Sequence, residues 1–320
     1  MGMSRNVEEC CVTSHPTLKE TTLSHRMATE NSHAAHTLKP YPYQVAGHAA
    51  QGALKLTDDG CVLKPVQRPP KGMREVVFYD TVFNQSEKRE EILQLRRLLP
   101  FYHGIVEIDT SKYLKLENIT NKFDLPCVMD IKMGRVTWED NADETFKERR
   151  QKKWPLREVT GFSILGFMVY NHQKCCHEHY DREWCQKLST VQDAEKCFHQ
   201  YLGGVQFDMT SDILGQLLTN LMDIKQWFTT QRLFRFIASS ILIVYETNCS
   251  WKLGKHQKSH KQSETVENMH QRSPTNFLVD TKIIDTAHVF PSTDIDDNYL
   301  FGLENLISIF EKCRQEYAVN

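Results

Sequence analysis

Residues 126–134 read PCVMDIKMG, an apolar run that starts at a proline, ends at a glycine and contains two opposite charges. The run predicts a buried β-strand. Alternate side chains of a strand share a face, so Asp130 and Lys132 are expected to project the same way. Charged side chains are rarely buried unless they are paired or bound to a ligand. A chain with both charges on one buried strand is therefore expected to fold around a cleft that this face lines.

The rest of the chain predicts further strands and helices. Strands are expected at 61–66, 113–119, 127–133 and 281–290, helices at 73–83, 88–100, 210–231 and 299–317, and a continuous, strand-rich buried run at 233–246. Strands followed by a helix-rich half indicate an α+β protein with two lobes. We divide the chain into a disordered tail (1–40), an N-terminal lobe (41–120) with a hinge at 116–120, and a C-terminal lobe (121–320) that contains a charged insert (138–155) and a disordered loop (250–276).

Composition narrows the class of protein. The net charge of -2 over 320 residues argues against a nucleic-acid binder, which usually carries a strong basic excess. No apolar run reaches the roughly 18–20 residues of a membrane helix, and the first residues lack the apolar core of a signal peptide. We therefore expect a cytoplasmic or nuclear monomer with no transmembrane segment, whose 10 cysteines are mostly reduced.

Four more polar residues interrupt apolar stretches. Lys64 lies in CVLKPV, Glu75 in MREVVFY, and Asp285 and His288 in IIDTAH. A lysine, a glutamate and a late aspartate are the groups that hold ATP in kinases: the lysine binds phosphates, the glutamate fixes the lysine, and the aspartate binds Mg²⁺. Each residue alone is weak evidence, since lysines at strand edges often extend along apolar surface to reach water.

The stretch PCVMDIKMG matches the signature PxxxDxKxG, and the chain resembles the inositol polyphosphate kinase family, most of all its multikinases. The similarity runs from about residue 43 to 309 without the 250–276 loop. Other matching stretches are QVAGH (44–48), VLKPVQRPPKGMREVVFY (62–79), YLKLENIT (113–120), FIASSILIVYE (236–246) and IDTAHVFPSTDIDDNYLFGLENLI (284–307). The resemblance implies a two-lobed fold, protein-kinase-like or ATP-grasp-like, with an inserted helical segment that binds substrate.

The resemblance also implies a role for each matching residue. Lys64 would bind the ATP phosphates with Glu75 as its ion-pair partner, Glu117 and Ile119 would bind adenine through the hinge backbone, and Asp130 would take the ribose hydroxyls. Lys132 would lie against the transferred phosphoryl group, Asp285 would bind Mg²⁺, and His288 would face the inositol. One departure is Thr286, where the family usually has Phe. We expect Thr286 to point away from Asp285 on the opposite strand face, so that metal binding survives.

An inositol polyphosphate needs cationic donors, and FKERRQKKWP (146–155) supplies them. On a helix Arg149 and Lys153 share a face, which makes them the first substrate candidates, followed by Arg150, Lys147 and Lys71. Arg and Lys stand here where multikinases tend to carry glutamines. The alternatives for this segment are a solvated helix face and a nuclear-localisation patch.

The sequence thus predicts a kinase that transfers the γ-phosphate of ATP to soluble inositol tris- or tetrakisphosphates. No general base is assigned. Alternatives are a narrower inositol-trisphosphate 3-kinase, an inositol hexakisphosphate kinase, a phosphoinositide headgroup as acceptor, and a non-catalytic inositol-phosphate-binding scaffold. The His- and Cys-rich stretch 172–185 lacks paired zinc-ligand spacing and is predicted to be a surface loop.

Overall fold

The computed structural model describes residues 38–47, 52–205, 209–247 and 279–319. The sequence predicts disorder for the tail (1–40) and for the loop 250–276. Apart from residues 38–40, both segments lie outside the described part of the chain. The first half contains β1 (Lys39–Pro40), β2 (Lys55–Leu56), β3 (Val62–Pro65), α1 (Lys71–Val82), α2 (Glu90–Leu98), β4 (Tyr102–Ile108), β5 (Ser111–Leu116) and β6 (Pro126–Met133). The second half contains α3 (Glu144–Lys153), α4 (Pro155–Thr160), β7 (Phe162–Asn171), β8 (Cys176–Tyr180), α5 (Arg182–Cys185), α6 (Val191–Leu202), α7 (Thr210–Thr230), β9 (Phe234–Phe236), β10 (Ser240–Glu246), β11 (Val279–Ile284), β12 (Val289–Pro291) and α8 (Asp297–Val319).

The first five strands form one antiparallel sheet in the order β1-β2-β3-β5-β4. Helix α1 follows β3 and buries Glu75 among apolar residues of its inner face. A Cβ at Gly72 would lie 1.9 Å from the Gln67 carbonyl oxygen, so only glycine fits this first turn. Helix α2 carries acidic residues in its first turn and basic ones in its last, an order that suits the helix dipole.

The two sheets are separated by a short connection. The first sheet ends at Leu116 and the second starts at Pro126, with a 3₁₀ turn at Ile119–Lys122 between them. The Asn118 side chain accepts a hydrogen bond from the Thr120 amide at 3.1 Å and caps this turn. The α+β class and the two-lobed architecture predicted from the sequence are confirmed.

The second sheet has the order β11-β10-β6-β7-β8, with β6 at its centre. In its register Asp130 lies opposite Leu242, and Lys132 opposite Ser240. Helices α7 and α8 pack on each other, and the rings of Phe228 and Tyr299 stack at 3.9 Å between their centres. No helix in the described ranges is long and apolar enough to cross a membrane.

Two predicted strands are interrupted where the backbone turns left-handed. The run 233–246 is strand-rich as predicted, but it contains two strands: β9 ends at Phe236 and β10 begins at Ser240, with Ala238 between them at φ +55°. The predicted strand 281–290 likewise stops at Ile284, because Asp285 has φ +60°. A left-handed residue rotates the next peptide out of the ladder and ends strand pairing. The short strands β9 and β12 beyond these breaks pair with each other.

Two smaller predictions are wrong. The stretch 172–185 is not a loop throughout, because Cys176–Tyr180 pairs with β7 as strand β8 and Arg182–Cys185 is a helical turn. The sequence also predicts Thr210, Ser211 or Asp212 as the N-cap of helix α7, because residues of these types favour that position. Its N-cap residue is instead Met209, which has no side-chain capping bond.

Candidate active site

A cavity of about 590 Å³ lies between the two sheets and is lined from both of them. The sequence-predicted site residues that line it are Lys64, Lys71, Glu117, Ile119, Asp130, Lys132, Arg150, Asp285 and His288. The face shared by Asp130 and Lys132 on β6 is part of its floor, as strand alternation predicts. The polar residues that interrupt apolar stretches of the sequence are therefore gathered at one place.

Lys64 joins the two lobes. Its Nζ donates to Glu75 Oε1 at 2.8 Å and to Asp285 Oδ1 at 2.6 Å, although Asp285 is 221 positions away in sequence. Burial by itself would lower the pKa of Lys64, but the carboxylates of Asp285 and Glu75 outweigh it and raise that pKa well above its usual value. The lysine is therefore held as a cation at the point where the lobes meet.

Glu75 is fully buried and does more than pair with the lysine. Its Oε1 also accepts a hydrogen bond from the Thr286 amide at 3.1 Å. Thr286 itself is fully buried and lies beyond the end of β11, so the prediction that it occupies the opposite face of a strand is wrong. The amide bond to Glu75 instead fixes the backbone just after Asp285.

Asp130 is 5% exposed, and its Oδ1 has no hydrogen-bond partner within the described ranges. Burial and then the charge of Asp285 raise the pKa of Asp130 to about 7. A buried carboxylate oxygen without a donor is unfavourable unless a ligand supplies one. Asp130 is therefore an acceptor ready for a hydroxyl or another donor that enters the cavity.

Lys132 faces the same cavity two residues further along β6. Its Nζ donates to the Ala238 carbonyl at 2.9 Å. The left-handed conformation of Ala238 turns that carbonyl toward the lysine. Burial lowers the pKa of Lys132 to about 8, although Asp285 and Asp130 oppose the change. The ammonium is thus desolvated and has no direct carboxylate partner among the described residues, which favours the approach of an anion.

The hinge side of the cavity is mostly apolar. Val62, Leu116, Leu242 and Ile284 line it together with the hinge residues. Ile119 opens the 3₁₀ turn, so its N–H has no partner inside that turn. An apolar slot beside a backbone N–H that has no partner among the described residues suits a purine base.

In the basic segment 146–155, the residues that were the first substrate candidates from the sequence do not line the cavity. Arg150 lines the cavity, whereas Arg149 and Lys153 are exposed and line a separate shallow groove on the outer side of α3. The predicted pair does share a helix face, but that face is turned outward. Lys147 pairs with Glu144 at 2.7 Å within the same helix.

His288 belongs to a small network that the sequence did not suggest. Glu139 Oε1 lies 2.9 Å from His288 Nδ1 and accepts from Arg74 Nη2 at 2.9 Å. Burial lowers the pKa of His288 despite this carboxylate. Because Glu139 is a charged acceptor, Nδ1 carries the proton, and Nε2 of the neutral ring is left to accept one.

The segment that leaves β1 crosses toward the second sheet, and its residues 41 and 43–47 also line the cavity. The Tyr41 hydroxyl is 3.0 Å from Thr120 Oγ1 in the hinge. The Val45 carbonyl passes so close to β7 that a Cβ at Gly166 would lie 2.1 Å from its oxygen. The stretch QVAGH (44–48) of this segment matches the family, but its composition does not indicate that the segment crosses the cavity.

A divalent cation fits at Asp285. The aspartate side chain is 43% exposed. Partial desolvation would raise its pKa, but the charge of Lys64 outweighs this and keeps the pKa low. Mg²⁺ commonly binds one or two protein carboxylates, substrate phosphates and water, so one ionised carboxylate beside a nucleotide cavity is a sufficient protein contribution. No group of three potential His, Cys, Asp or Glu ligands exists in the described ranges.

The fold and cavity define a two-lobed kinase with a lysine–glutamate pair in the first lobe and, in the second, an aspartate that reaches across to that lysine. The sequence model of the family "Inositol polyphosphate kinase" matches residues 113–311. The chain belongs to the inositol polyphosphate kinase family.

Individual relatives agree with this assignment. The chain is 29% identical to a human inositol polyphosphate multikinase, over 84% of this chain and 87% of the relative. It is 30% identical to inositol polyphosphate multikinase alpha of Arabidopsis thaliana, over 87% and 96%. Its fold is similar to that of an inositol phosphate multikinase from S. cerevisiae, solved with ADP and Mn²⁺, at a TM-score of 0.61 and 21% identity over 79% of this chain and 98% of that one.

Proposed function

We propose that this kinase is multikinase-like and transfers the γ-phosphoryl group of ATP to hydroxyls of soluble inositol tris- and tetrakisphosphates. The observation that carries the proposal is a single cavity in which the Lys64–Glu75–Asp285 bridge, the desolvated Lys132 and the cationic side chain of Arg150 meet. A nucleotide polyphosphate and a polyanionic acceptor both need such charge, and phosphoryl transfer needs them held in line.

Each residue near the nucleotide has a defined task. Adenine occupies the apolar hinge slot and accepts from the Ile119 amide, while Asp130 accepts from the ribose hydroxyls. Lys64 donates to the ATP phosphates, and Glu75 keeps it oriented. Asp285 would hold the divalent cation, which we propose is Mg²⁺ in this chain. A bound cation of this kind supplies charge neutralisation at the transferred phosphoryl group.

Each residue near the acceptor has a task as well. Lys132 stabilises the charge that develops on the phosphoryl oxygens in transit, because its desolvated ammonium is already positioned. Arg150 and Lys71 bind acceptor phosphates, and His288 contacts the acceptor ring. The outward-facing Arg149 and Lys153 are left for longer-range attraction of the polyanion.

The test is a transfer assay with γ-labelled ATP and a panel of inositol phosphates, with products resolved by chromatography. We expect labelled products from a trisphosphate and a tetrakisphosphate, and transfer that is slower by about 10³ in the Asp285→Asn variant. Label transferred to a single position of only one acceptor would favour a narrower kinase. Label in a phosphoinositide but in no soluble acceptor would overturn the choice of substrate.

Absence of labelled product from every acceptor would refute the proposal. If such a protein still bound inositol phosphates in a calorimeter, it would be a scaffold.

A further inference from the structure

Phosphoryl transfer to an alcohol releases the proton of the attacking hydroxyl, and the sequence assigned no residue to receive it. A group that accepts this proton must reach the cavity and must be unprotonated at neutral pH. It also needs a lone pair that no protein donor occupies, and a partner that holds it in position. Of the residues that line the cavity, His288 combines these properties.

His288 lies between the residue proposed for the metal and one proposed for an acceptor phosphate. Its charge acts on that of Asp285, and the charge of Lys71 acts on its own ring. The hydrogen bond that the ring makes within the described ranges is at Nδ1, with Glu139 Oε1 at 2.9 Å. The Nε2 lone pair therefore has no protein partner among the described residues, on a side chain that lines the cavity.

Glu139 sets the tautomer of the ring. Its Oε1 accepts from His288 Nδ1 and from Arg74 Nη2, each at 2.9 Å. The Arg74 guanidinium carbon lies 4.6 Å from the Phe290 ring centre, a contact that orients the arginine. Partial burial would raise the pKa of Glu139, but Arg74 and His288 lower it, so the carboxylate carries no proton. The proton of the neutral ring is therefore on Nδ1.

The groups around His288 keep its ring neutral before the transfer and stabilise it afterwards. Burial lowers the pKa of His288, while the Glu139 carboxylate opposes the change. The cations Lys71 and Arg74 of α1 lower it further. When the ring takes a proton, the imidazolium lies 2.9 Å from the Glu139 carboxylate, which offsets part of its charge. The charged groups that face the ring are Glu139, Lys71, Arg74 and Asp285.

We propose that His288 is the general base of the phosphoryl transfer and that Glu139 is its positioning residue. The Nε2 lone pair takes the proton of the acceptor hydroxyl while the hydroxyl oxygen forms its bond to the γ-phosphorus. The bond from this phosphorus to the β,γ-bridging oxygen breaks, and its electron pair stays on the ADP oxygen. The imidazolium then returns the proton to water. The inference rests on the proposed function and deepens it, since it names the residue that activates the acceptor.

The first test measures kcat and KM with labelled ATP and inositol tris- and tetrakisphosphate in the wild type and His288→Gln. Glutamine can keep a hydrogen bond to the acceptor but cannot take its proton. General-base catalysis contributes about 10²–10⁴-fold, so kcat should fall by at least about 10² while KM for the acceptor changes less than about threefold. Asp140→Asn is the matched control for Glu139→Gln, because this neighbouring carboxylate binds Arg235 and does not line the cavity.

The second test is the pH profile of kcat/KM from pH 5 to 8. Ionisation of the substrates affects every variant alike, so the ratio of wild-type to His288→Gln values isolates the histidine. This ratio should fall toward one as the pH drops below 6.5, the ordinary pKa of histidine. Glu139→Gln removes the carboxylate that raises the pKa of His288, so its acid limb should lie about one pH unit lower than that of the wild type. Its kcat should be lower by about tenfold or more.

A ratio that does not change with pH would overturn the proposal. A raised KM with kcat within about threefold of the wild type in His288→Gln would also overturn it, and would leave His288 as a contact for the acceptor. An acid limb of Glu139→Gln at the wild-type position would refute the positioning role, because a merely structural change lowers activity without moving the limb. A wild type that labels no inositol phosphate at all would refute the proposed function instead.

Discussion

Replacement of Lys132 by methionine separates catalysis from stability. In the folded protein burial lowers the pKa of this lysine from 10.5 to about 8. A tenfold change in proton binding is worth about 1.4 kcal/mol, so the ammonium is disfavoured in the ligand-free cavity by at most about 3 kcal/mol relative to water. Methionine has similar length and no charge, which removes this unfavourable term together with one hydrogen bond to the Ala238 carbonyl.

The sign of the stability effect follows from the direction of the pKa change. Because the folded-state pKa lies below that of the unfolded chain, protonation opposes folding, and this opposition is fully present below pH 8. It disappears as the pH rises from about 8 to 10.5. A hydrogen bond is worth about 1 kcal/mol, so Lys132→Met should be as stable as the wild type at pH 7, or up to about 2 kcal/mol more stable. The difference should shrink above pH 8.

Activity should change in the opposite direction. A preorganised charge aimed at the transition state is worth roughly 10²–10³ in kcat, so Lys132→Met should lose about that factor while KM for ATP changes less than about threefold. In the wild type the ammonium is about 90% protonated at pH 7 and about 10% at pH 9. Because kcat/KM reports the ionisations of the free enzyme, the wild-type kcat/KM should therefore fall through pH 8.

The assay is steady-state transfer from labelled ATP with ATP and acceptor both varied through their KM, from pH 6 to 9.5, so that kcat and kcat/KM are obtained at each pH. Urea denaturation of the ligand-free proteins is measured beside it. A kcat within about threefold of the wild type would remove Lys132 from the chemistry. A variant that is destabilised by more than about 1 kcal/mol at pH 7 would contradict the claim that the ammonium is unfavourable in the cavity.

Three further predictions concern the lobes, the metal and the crossing segment. Glu75→Gln leaves the buried Lys64 ammonium with one carboxylate fewer, so urea denaturation should show a free energy of unfolding lower by about 3 kcal/mol, and kinetics a higher KM for ATP. If neither quantity changed, the Lys64–Glu75 pair would not be coupled to the nucleotide site. Excess chelator should abolish phosphoryl transfer by the wild type, and Asp285→Asn should lower kcat by about 10³ at any Mg²⁺ concentration. Undiminished turnover of the wild type in chelator would exclude the role of a metal. Gly166→Ala should displace the Val45 carbonyl and raise KM for ATP. The control is Gly215→Ala in α7, where nothing lies nearer than 4.0 Å to the new carbon, and this change should stabilise the protein by up to about 1 kcal/mol. Equal effects of the two substitutions on KM would mean that the crossing segment does not contribute to ATP binding.

Local patterns were enough for much of the fold. The helix predicted at 73–83 is α1 (Lys71–Val82), and the strand predicted at 127–133 is β6 (Pro126–Met133). Both follow from the spacing of apolar residues and from proline and glycine at their ends, which are properties of a few neighbouring residues. Patterns of the same kind could not reveal the left-handed residues Ala238 and Asp285, since both lie within apolar runs that look continuous.

The same distinction between local pattern and tertiary packing applies to the candidate active site. The sequence by itself determined that Asp130 and Lys132 share a face, because strand alternation is a local rule. Only the tertiary structure decided that Lys64 meets Asp285 across 221 positions, since that contact depends on how two sheets pack. The tertiary structure likewise turned Arg150 toward the cavity and Arg149 away from it: helical spacing says which residues share a face, whereas the packing of the helix decides which way that face looks.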